Sequence, residues 1–428
     1  MKIHGVWPVA VMGCLLWGAA LAPAAEVAPT GATNDVAMCA PPVNLTPGPE
    51  YADSVRMFQG IPGLERAKNG RLWATWYGGG ITEDEHNYIM LVTSGDDGAT
   101  WSGLKMVIDP DGAGPCRAFD PCLWHDPQGR LWLSWAERHQ SEQLWAISTA
   151  DSDSENPTWS APRLIHEGIM MNKPLFTTGG AWLLPVAKWH REGSAKVVAS
   201  ANQGATFQLR GSANVPAPKD RNCDEHMLVE RKDGSLWMLV RTSYGIGESV
   251  STDQGKTWSA VERSALPHTV SRFFIRRLNS GRLLLVRHDG PGAKRGRSHL
   301  TAFLSGDDGK TWTGGLLLDE RNGVSYPDGV QAPDGTIRII YDFNRTADKQ
   351  ILMARFTEED VLQKRLVSPA GRLRMLVNQA TGVNTAVKPP KAHAAPAARA
   401  DNADGDPLLA GPAAGIEVSA GATSDTLN

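Results

Sequence analysis

The chain has 428 residues, of which 41% are hydrophobic and 7% aromatic, and its formal net charge is −3 at neutral pH. Acidic and basic residues nearly balance and no run of Lys or Arg stands out, which argues against a nucleic-acid partner or a membrane-surface partner. After the N-terminal leader, no segment of the sequence is long and apolar enough to span a membrane.

The first residues predict export of the protein. Lys2 precedes an apolar stretch that runs to Leu21, and residues 22–24 read Ala-Pro-Ala, a small-residue pattern found at signal-peptide cleavage sites. We predict a signal peptide over residues 1–25, a linker over residues 26–50 and a periplasmic or secreted mature protein.

Cysteine usage is compatible with export. Cys14 closes a Val-Met-Gly-Cys sequence that resembles a lipoprotein box, but apolar residues continue beyond it, so a cleaved signal peptide is the preferred interpretation. The mature chain would keep Cys39, Cys116, Cys122 and Cys223, which an oxidising compartment allows to form disulfides. Their spacing gives neither a pairing nor a zinc site.

A turn sequence recurs five times along the middle of the chain. Three copies are well kept: "SGDDGATW" at Ser94, "STDQGKTW" at Ser251 and "SGDDGKTW" at Ser305, with looser copies at Ser148 and Ser200. Ser and Asp side chains can bond to their own backbone and Gly accepts a positive φ, so the sequence predicts a hairpin turn. The copies start 51 to 54 residues apart.

A second repeat, a Gly turn followed by an apolar run, alternates with the first. It begins at Gly70, Gly129, Gly180, Gly234, Gly281 and Gly335. Two turns and short β-like runs in each unit are typical of four-stranded propeller blades. We therefore predict an all-β fold, a six-bladed β-propeller over residues 51–375, with many of the 15 Trp residues packed between blades. Residues 380–428, rich in Ala, Pro and Gly, are predicted to be a disordered tail.

Strand order within a blade assigns its turns to two faces. We call the turns of the first repeat the box turns. If each blade runs from an inner to an outer strand, the Gly turns and the box turns share one face. The starts of the inner strands and the loops after the second strands share the other, where ionisable residues accumulate. This polar rim comprises Gln59, Glu83, Asp84, Glu85, His86, Arg117, Asp120, Lys173, Asp224, Glu225, His226, Arg241, His268, Arg272, Arg297, Tyr326, Asp328 and Asp342. The rim predicts either one central pocket or a solvated polar face.

Spacing links four of these residues. Glu225 opens an inner strand and Arg241 ends the following strand, so an antiparallel hairpin returns both to the same end of the blade. Arg297 and Tyr326 fall on the same face in the next two blades. A Tyr beside a Glu, with Arg nearby, is a candidate nucleophile or proton donor because the carboxylate can accept the phenol proton.

These residues and boxes resemble the bacterial Asp-box sialidases, six-bladed propellers that cleave terminal sialic acid. In that family a Glu precedes the second Arg of a carboxylate-binding triad at the spacing that separates Glu225 from Arg241 here. The third Arg precedes the last box, which points to Arg297 in "RSHLTAFLSGDDGKTW". The nucleophilic Tyr begins the final blade, which points to Tyr326 in "SYPDGVQAPDG". The residue that supports the first Arg ends a strand like "IIYD", which suggests Asp342.

The resemblance implies retaining hydrolysis through a Tyr-linked intermediate, with a loop Asp as acid/base and with neither metal nor cofactor. Sialic acid carries a carboxylate on its anomeric carbon, so a phenol relayed by Glu avoids the repulsion that a carboxylate nucleophile would meet. The Arg residues are implied to hold the substrate carboxylate through paired, charge-assisted hydrogen bonds.

The chain departs from the family at its first strand. The family opens with Phe-Arg-Ile-Pro, whose Arg is the first of the triad, whereas this sequence reads "FQGIP" from Phe58. Gln59 is taken as a substrate-binding candidate at this place. Candidates for the missing charge are Arg272, Arg117 and Lys173.

The acid/base residue has several candidates in the first-blade loop, namely Glu83, Asp84, Glu85 and His86. Asp84 is selected by its spacing. The remaining substrate-binding candidates are His86, His226, Arg272 and Asp342. For His226, next to Glu225, a hydrogen-bonded structural role is the alternative.

The preferred prediction is a monomeric, exo-acting glycoside hydrolase of sialidase type that removes a terminal sialic acid or related acidic sugar from a glycan. One alternative is a lyase or glycosidase for uronic-acid-containing glycans, in which Arg residues neutralise the carboxylate and Tyr326 or His226 moves the adjacent proton. The other is a glycan-binding propeller without catalysis, because a fold does not fix a function.

Overall fold

Consecutive strands form one antiparallel sheet after another along the described part of the chain, four strands to each sheet. The computed structural model describes residues 40–112, 114, 116–138, 141–290 and 296–383. The predicted signal peptide, Cys39, residues 26–39 of the linker and residues 384–428 of the tail lie outside the described residues.

Six sheets are formed in chain order. The first three consist of β1 (Phe58–Arg66), β2 (Leu72–Gly79), β3 (Asn87–Ser94) and β4 (Met106–Ile108); β5 (Arg117–His125), β6 (Leu131–Arg138), β7 (Glu142–Thr149) and β8 (Arg163–Glu167); and β9 (Leu175–Phe176), β10 (Trp182–Ala187), β11 (Ala195–Ser200) and β12 (Gln208–Ala213). The other three consist of β13 (Asp224–Glu230), β14 (Leu236–Thr242), β15 (Gly245–Ser251) and β16 (Glu262–Arg263); β17 (Phe274–Arg277), β18 (Leu283–His288), β19 (Leu300–Ser305) and β20 (Thr313–Asp319); and β21 (Val324–Gln331), β22 (Ile337–Phe343), β23 (Gln350–Phe356) and β24 (Arg372–Gln379).

The first strands of neighbouring sheets face one another around a central axis, as β1 does with β5 and β21. This arrangement confirms the predicted six-bladed β-propeller. The last strand, β24, extends beyond the predicted end at residue 375.

Short helical segments lie before the first blade, between the third and fourth blades, and between β23 and β24 of the sixth blade. They are the 3₁₀ turns Pro49–Tyr51 and Pro218–Asp220 and the α-helix α1 (Glu358–Leu362), which begins with a capping box between Thr357 and Asp360. No helix in the described ranges has the length and apolarity to cross a membrane. No disulfide joins Cys116, Cys122 and Cys223 to one another in these ranges.

The repeated box turns are closed by their own side chains. In the first copy, Ser94 Oγ donates to Asp96 Oδ1 at 2.8 Å and accepts from the Gly98 N–H at 2.9 Å. The same Asp96 oxygen accepts from the Thr100 N–H at 2.9 Å. Equivalent bonds form in the copies at Ser251, Ser305 and Ser200. The repeat is therefore a structural turn, as its sequence predicts.

Trp side chains connect the two repeats of neighbouring blades. Trp73 Nε1 in the first blade donates to the carbonyl of Ser152, in the box turn of the second, at 2.9 Å. Trp237 of the fourth blade lies against Gly309 in the box of the fifth, where an added Cβ would stand 2.6 Å from the ring. Glycine is needed at this close approach, and the box turns thereby fasten the blades together.

Buried polar side chains join the first blade to the last. Gln59 Oε1 accepts from Arg56 Nε at 3.2 Å and from Trp76 Nε1 at 3.0 Å. Its Nε2 donates to the Lys349 carbonyl at 2.7 Å and to Asn378 Oδ1 at 3.0 Å. Arg56 also donates to Asn378 Oδ1, at 2.9 Å. This network closes the ring between residues that lie far apart in the sequence.

Candidate active site

Four inner strands carry a β-bulge close to their first residues. Their pairing shifts between Gly60 and Gly63, Phe119 and Cys122, Asp224 and Met227, and Ser325 and Asp328. In each bulge, the residue directly after the last regularly paired one has a positive φ. These residues are Ile61 (55°), Asp120 (50°), Glu225 (39°) and Tyr326 (54°). This backbone is strained for residues with side chains, and bulges of this kind re-aim side chains beside functional sites. Three of the four bulges hold an ionisable residue.

Glu225, Arg241 and Tyr326 form one buried contact group. The Tyr326 hydroxyl donates to Glu225 Oε1 at 3.4 Å, and Arg241 Nη1 donates to the Tyr326 oxygen at 3.2 Å. Arg241 also pairs with Glu225 Oε1. The pairing of β13 with β14 sets Arg241 opposite Asp224, the neighbour of Glu225, as the hairpin argument from the sequence requires.

Electrostatics keep the Tyr326 phenol neutral in the free protein. Burial, and then the Glu225 carboxylate, raise the pKa of Tyr326 well above its ordinary value, while Arg241, Arg297 and Arg345 act in the opposite direction. Burial works against the charge on Arg241, but Glu225 raises its pKa, so the guanidinium stays charged. The result is a neutral phenol that donates a long hydrogen bond to a carboxylate and lies beside several cations.

A cavity of about 240 Å³ adjoins this group and is lined by Phe58, Thr82, Glu83, Arg297, Gly323, Ser325, Asn344, Arg345 and Thr346. The guanidinium carbons of Arg297 and Arg345 each lie 5.2 Å from the centre of the Tyr326 ring. Arg345 forms an ion pair with Glu83. Among the described residues, Arg297 has no ion-pair partner, so the cavity offers a positive charge to an anionic ligand.

Asp342 lies beneath Arg345 and beside the first strand. Its Oδ1 accepts from Ser325 Oγ at 2.6 Å, and its Oδ2 accepts from the Ile61 N–H at 2.9 Å. Burial raises the pKa of Asp342, and Arg345 is the largest influence in the other direction. In turn Asp342 raises the pKa of Arg345 against the effect of burial. Asp342 is therefore a support for a cation and the first strand rather than a group open to the cavity.

Asp120 is a buried carboxyl group near the same centre. Burial raises its pKa to about 8, with Glu83 and Glu225 adding to the rise and Arg117 opposing it. One carboxyl oxygen of Asp120 has no hydrogen-bond partner among the described residues. Near neutral pH this side chain is therefore largely protonated.

Gln59 and His226, two of the predicted substrate-binding residues, point away from the cavity. All the hydrogen-bonding positions of the Gln59 amide are used by the network that closes the ring. His226 is fully buried and its Nε2 lies 2.7 Å from the Lys196 carbonyl. Burial lowers the pKa of His226 to about 4, so it is a neutral histidine in the interior. Neither residue presents a free group to a ligand in the cavity.

Arg272 and Lys173, both considered for the missing charge, belong to a buried ionic cluster instead. Arg272 donates to Asn172 Oδ1 at 2.6 Å and to the Met171 carbonyl at 3.0 Å. Lys173 Nζ pairs with Asp328 at 3.3 Å and with Glu65 at 3.1 Å. These contacts satisfy both cations among neighbouring blades. Arg117, the third candidate, stacks over Phe119 with its guanidinium carbon 4.0 Å from the ring centre.

The first-blade loop separates its candidates clearly. Asp84 accepts from the backbone N–H groups of Ile81 at 3.0 Å, Thr82 at 3.2 Å and His86 at 3.0 Å, so its carboxylate holds the loop together. His86 lines a different cavity, of about 230 Å³, beside Tyr51 and Tyr88. Of the four candidates, Glu83 alone lines the cavity with Arg297 and Arg345.

A larger cavity, of about 510 Å³, lies beside Gly234 and the inner strands of the third, fourth and fifth blades. It opens toward the Gly-turn end of the propeller and includes none of Tyr326, Glu225, Arg241 or Arg297. We assign the chemistry to the smaller cavity because two of its lining residues, Arg297 and Arg345, lie against the ring of Tyr326 in the contact group. Within the described ranges, no group of three or more His, Cys, Asp and Glu side chains is arranged to hold a metal ion.

Comparison with known families decides the classification. The family described as the BNR repeat-like domain matches residues 70–339. The chain belongs to this BNR repeat-like family. No curated protein sequence matches the chain significantly.

Solved structures share the fold of this BNR-family propeller. A Hadza microbial sialidase is 23% identical with a TM-score of 0.57, and the match covers 68% of this chain and 64% of that one. A sialidase from Streptococcus pneumoniae is 13% identical with a TM-score of 0.57, covering 72% of this chain and 68% of the other. A protein of unknown function from Dyadobacter fermentans is 18% identical with a TM-score of 0.58, covering 71% and 94%. The chain thus spans less than two thirds of the Hadza sialidase, and these identities show a common fold.

The sequence interpretation of this BNR protein missed Arg345. It lies three positions after Asp342 and just beyond the end of β22, outside every motif used to locate the rim. The sequence signal that could have indicated Arg345 was Gly60. A glycine has no side chain, so it leaves space beside the buried Asp342 carboxylate that the Arg345 side chain can occupy.

Proposed function

We propose that this propeller is an exo-acting glycoside hydrolase that removes a terminal sialic acid or a related acidic sugar from a glycan. The observation that carries the proposal is the contact group itself, in which the Tyr326 hydroxyl donates to Glu225 beside Arg241. The names of two structural neighbours, both sialidases, support the same class of reaction. The predicted signal peptide supports action outside the cytoplasm, which remains part of the proposal.

Charge at the site favours an acidic sugar. Arg241 is balanced by Glu225, but Arg297 faces the cavity without an ion-pair partner among the described residues. A carboxylate on the sugar supplies the negative charge that the site lacks, and Arg fork geometry suits a carboxylate. A neutral terminal sugar would leave that charge unmatched.

Tyr326 is the proposed nucleophile. Its oxygen attacks the anomeric carbon as the bond to the leaving-group oxygen breaks, and Glu225 accepts the phenol proton. The leaving oxygen takes a proton from an acid residue. Water then attacks the anomeric carbon and gives a proton to the acid residue, which now acts as a base. The Tyr–sugar bond breaks, and Glu225 returns its proton to the Tyr326 oxygen. Two displacements at one carbon give retention of configuration.

Glu83 is the proposed acid/base, in place of the Asp84 selected by spacing. Both belong to one loop, but the Asp84 carboxylate is committed to three backbone N–H groups while Glu83 lines the cavity. An acid must reach the leaving oxygen, so position in the cavity is the first requirement.

The position of His226 in the structure argues against the lyase alternative. His226, a proton carrier in that scheme, is buried and bonded to the Lys196 carbonyl, which leaves Tyr326 alone in that role. The two reactions give different products, since a lyase forms a double bond that absorbs in the ultraviolet and a hydrolase does not.

Release of methylumbelliferone from its α-sialoside tests the proposal. We expect turnover by the mature protein and a loss of about 10³-fold or more in Tyr326→Phe. Tyr244→Phe is the matched control, because Tyr244 lies on a loop of the fourth blade and stacks with Arg263. An ultraviolet-absorbing product from a uronic-acid glycan, with no sialoside cleavage, would favour the lyase instead. Glycan binding without either product would favour the non-catalytic propeller.

A further inference from the structure

Gly60 in the first strand has no side chain, and the side chain of Arg345 occupies the space beside it. Gly60 sits in β1 beside Tyr77, and a Cβ added there would collide with the aliphatic part of Arg345. The same Cβ would also stand 2.9 Å from Asp342 Oδ2. The volume that a residue-60 side chain would occupy is therefore taken by Arg345, which arrives from the sixth blade.

Arg345 is held in this place from two sides. Asp342, fully buried beneath it, is the strongest carboxylate influence that keeps it charged. The guanidinium carbon of Arg345 lies 5.2 Å from the centre of the Tyr326 ring, and that of Arg297 lies at the same distance. Because the two guanidinium groups line one cavity beside the same ring, a single anionic group can contact both.

Glu83 provides an internal anion at this point. Its Oε1 pairs with Arg345 Nη1, and its side chain is 40% exposed, against 21% for Arg345. The pair therefore lies at the solvent side of the cavity, where a ligand must enter. A partly exposed ion pair of this kind is weak and exchangeable.

We propose that Arg345 is a ligand-binding residue that holds the sugar carboxylate together with Arg297, and that Glu83 covers Arg345 until the sugar displaces it. The inference rests on the proposed function, because it names the residues that recognise the acidic group. The carboxylate of the sugar replaces that of Glu83 on Arg345. Once displaced, Glu83 can take up a proton from solvent and then give it to the leaving oxygen.

Calorimetric binding of sialic acid and of its neutral methyl ester tests the role of Arg345. Arg345→Gln should weaken binding of the acid about 10- to 100-fold while changing the ester little. Arg345→Lys should retain part of the preference for the acid. Arg263→Gln, an exposed Arg that stacks on Tyr244, is the matched control and should change neither affinity. An equal loss for acid and ester in Arg345→Gln, or no loss for the acid, overturns the role.

A second pair of variants keeps the test informative if Arg345→Gln folds poorly. Gly60→Arg combined with Arg345→Ala moves the positive charge to the first strand, into space that the truncation vacates. We expect it to recover most of the acid preference that Arg345→Ala loses, and failure to recover any of it in a folded double variant counts against the inference. Glu83→Gln should tighten binding of the acid about two- to fivefold and lower turnover. Weaker or unchanged acid binding in Glu83→Gln contradicts the displacement of Glu83.

Galacturonic acid and its methyl ester separate this inference from the proposed function. If the wild-type protein prefers galacturonic acid over its ester but shows no such preference with sialic acid, the substrate class is wrong and Arg345→Gln is scored on galacturonic acid. If it binds neither acid better than its ester, the role of Arg345 is overturned, whatever the hydrolysis assay shows. Preference for sialic acid that survives in Arg345→Gln overturns Arg345 and leaves the proposed hydrolase standing.

Discussion

The Tyr326 hydroxyl lies 3.4 Å from Glu225 Oε1, although the two residues are 101 positions apart in the chain. They lie near the starts of the inner strands of the sixth and fourth blades, and each has a positive φ at a bulge. A backbone strained at both partners of one contact is costly, and such strain is retained where a geometry serves a function.

Removing the charge of Glu225 should suppress turnover without unfolding the propeller. Glu225→Gln keeps the shape of the side chain but cannot accept the phenol proton, so we expect kcat to fall about 10²- to 10⁴-fold. The measurement is sialoside hydrolysis together with thermal unfolding. Glu262→Gln, on the exposed outer strand of the same blade, is the control. A kcat within twofold of wild type would remove Glu225 from the relay.

Replacing Gln59 should affect stability and not ligand affinity. Gln59→Leu leaves the Arg56 and Trp76 donors and the Lys349 carbonyl without their partner, so we expect a loss of about 2 to 4 kcal/mol in the free energy of unfolding. The affinity of the folded protein for sialic acid should stay unchanged. Gln208→Leu, on the exposed strand β12, is the control for denaturant unfolding. Weaker ligand binding at unchanged stability would return Gln59 to the site.

Asp120 gives the stability a defined pH dependence. Its pKa in the folded protein is raised to about 8, chiefly by burial, while the ordinary value is about 3.9. Between these values the folded state keeps a proton that the unfolded state has lost, so this residue makes the protein less stable as pH rises. Asp120→Asn removes the dependence. The unfolding free energy of the variant relative to wild type should therefore increase from pH 5 to pH 8, by at least about 1.4 kcal/mol, the equivalent of one pKa unit.

Chemical unfolding across this pH range measures the effect. Asp348→Asn, on an exposed loop, should give a profile parallel to that of wild type. Parallel profiles for Asp120→Asn and wild type would show that Asp120 does not titrate in this window.

The repeats made the fold predictable because the residues within each repeat are sufficient to form its turn. Ser94, Asp96 and Gly98 close a hairpin with their own side chains and backbone, so a short sequence is enough to identify the turn. Glu225 and Arg241 were brought together by strand direction alone, since a hairpin returns its two ends to one place. Both arguments need only local pairing.

Side-chain direction was not predictable at the bulges. Glu225 contacts Tyr326 while His226 is buried against the Lys196 carbonyl, and both lie within the bulge between Asp224 and Met227. A bulge shifts the alternation of a strand by one residue, and sequence alone does not place it. Arg345 was not predicted for a different reason. Its position depends on the space beside Gly60, a residue of another blade.

Trapping the sugar on the enzyme tests the central claim most directly. A sialosyl fluoride with a second fluorine at C3 should form the Tyr-linked intermediate and slow its hydrolysis, so that mass spectrometry of digested protein can locate the label. The account predicts one sugar attached to the peptide that contains Tyr326, and no label in Tyr326→Phe. A label on any other residue, or its persistence in Tyr326→Phe, would contradict it.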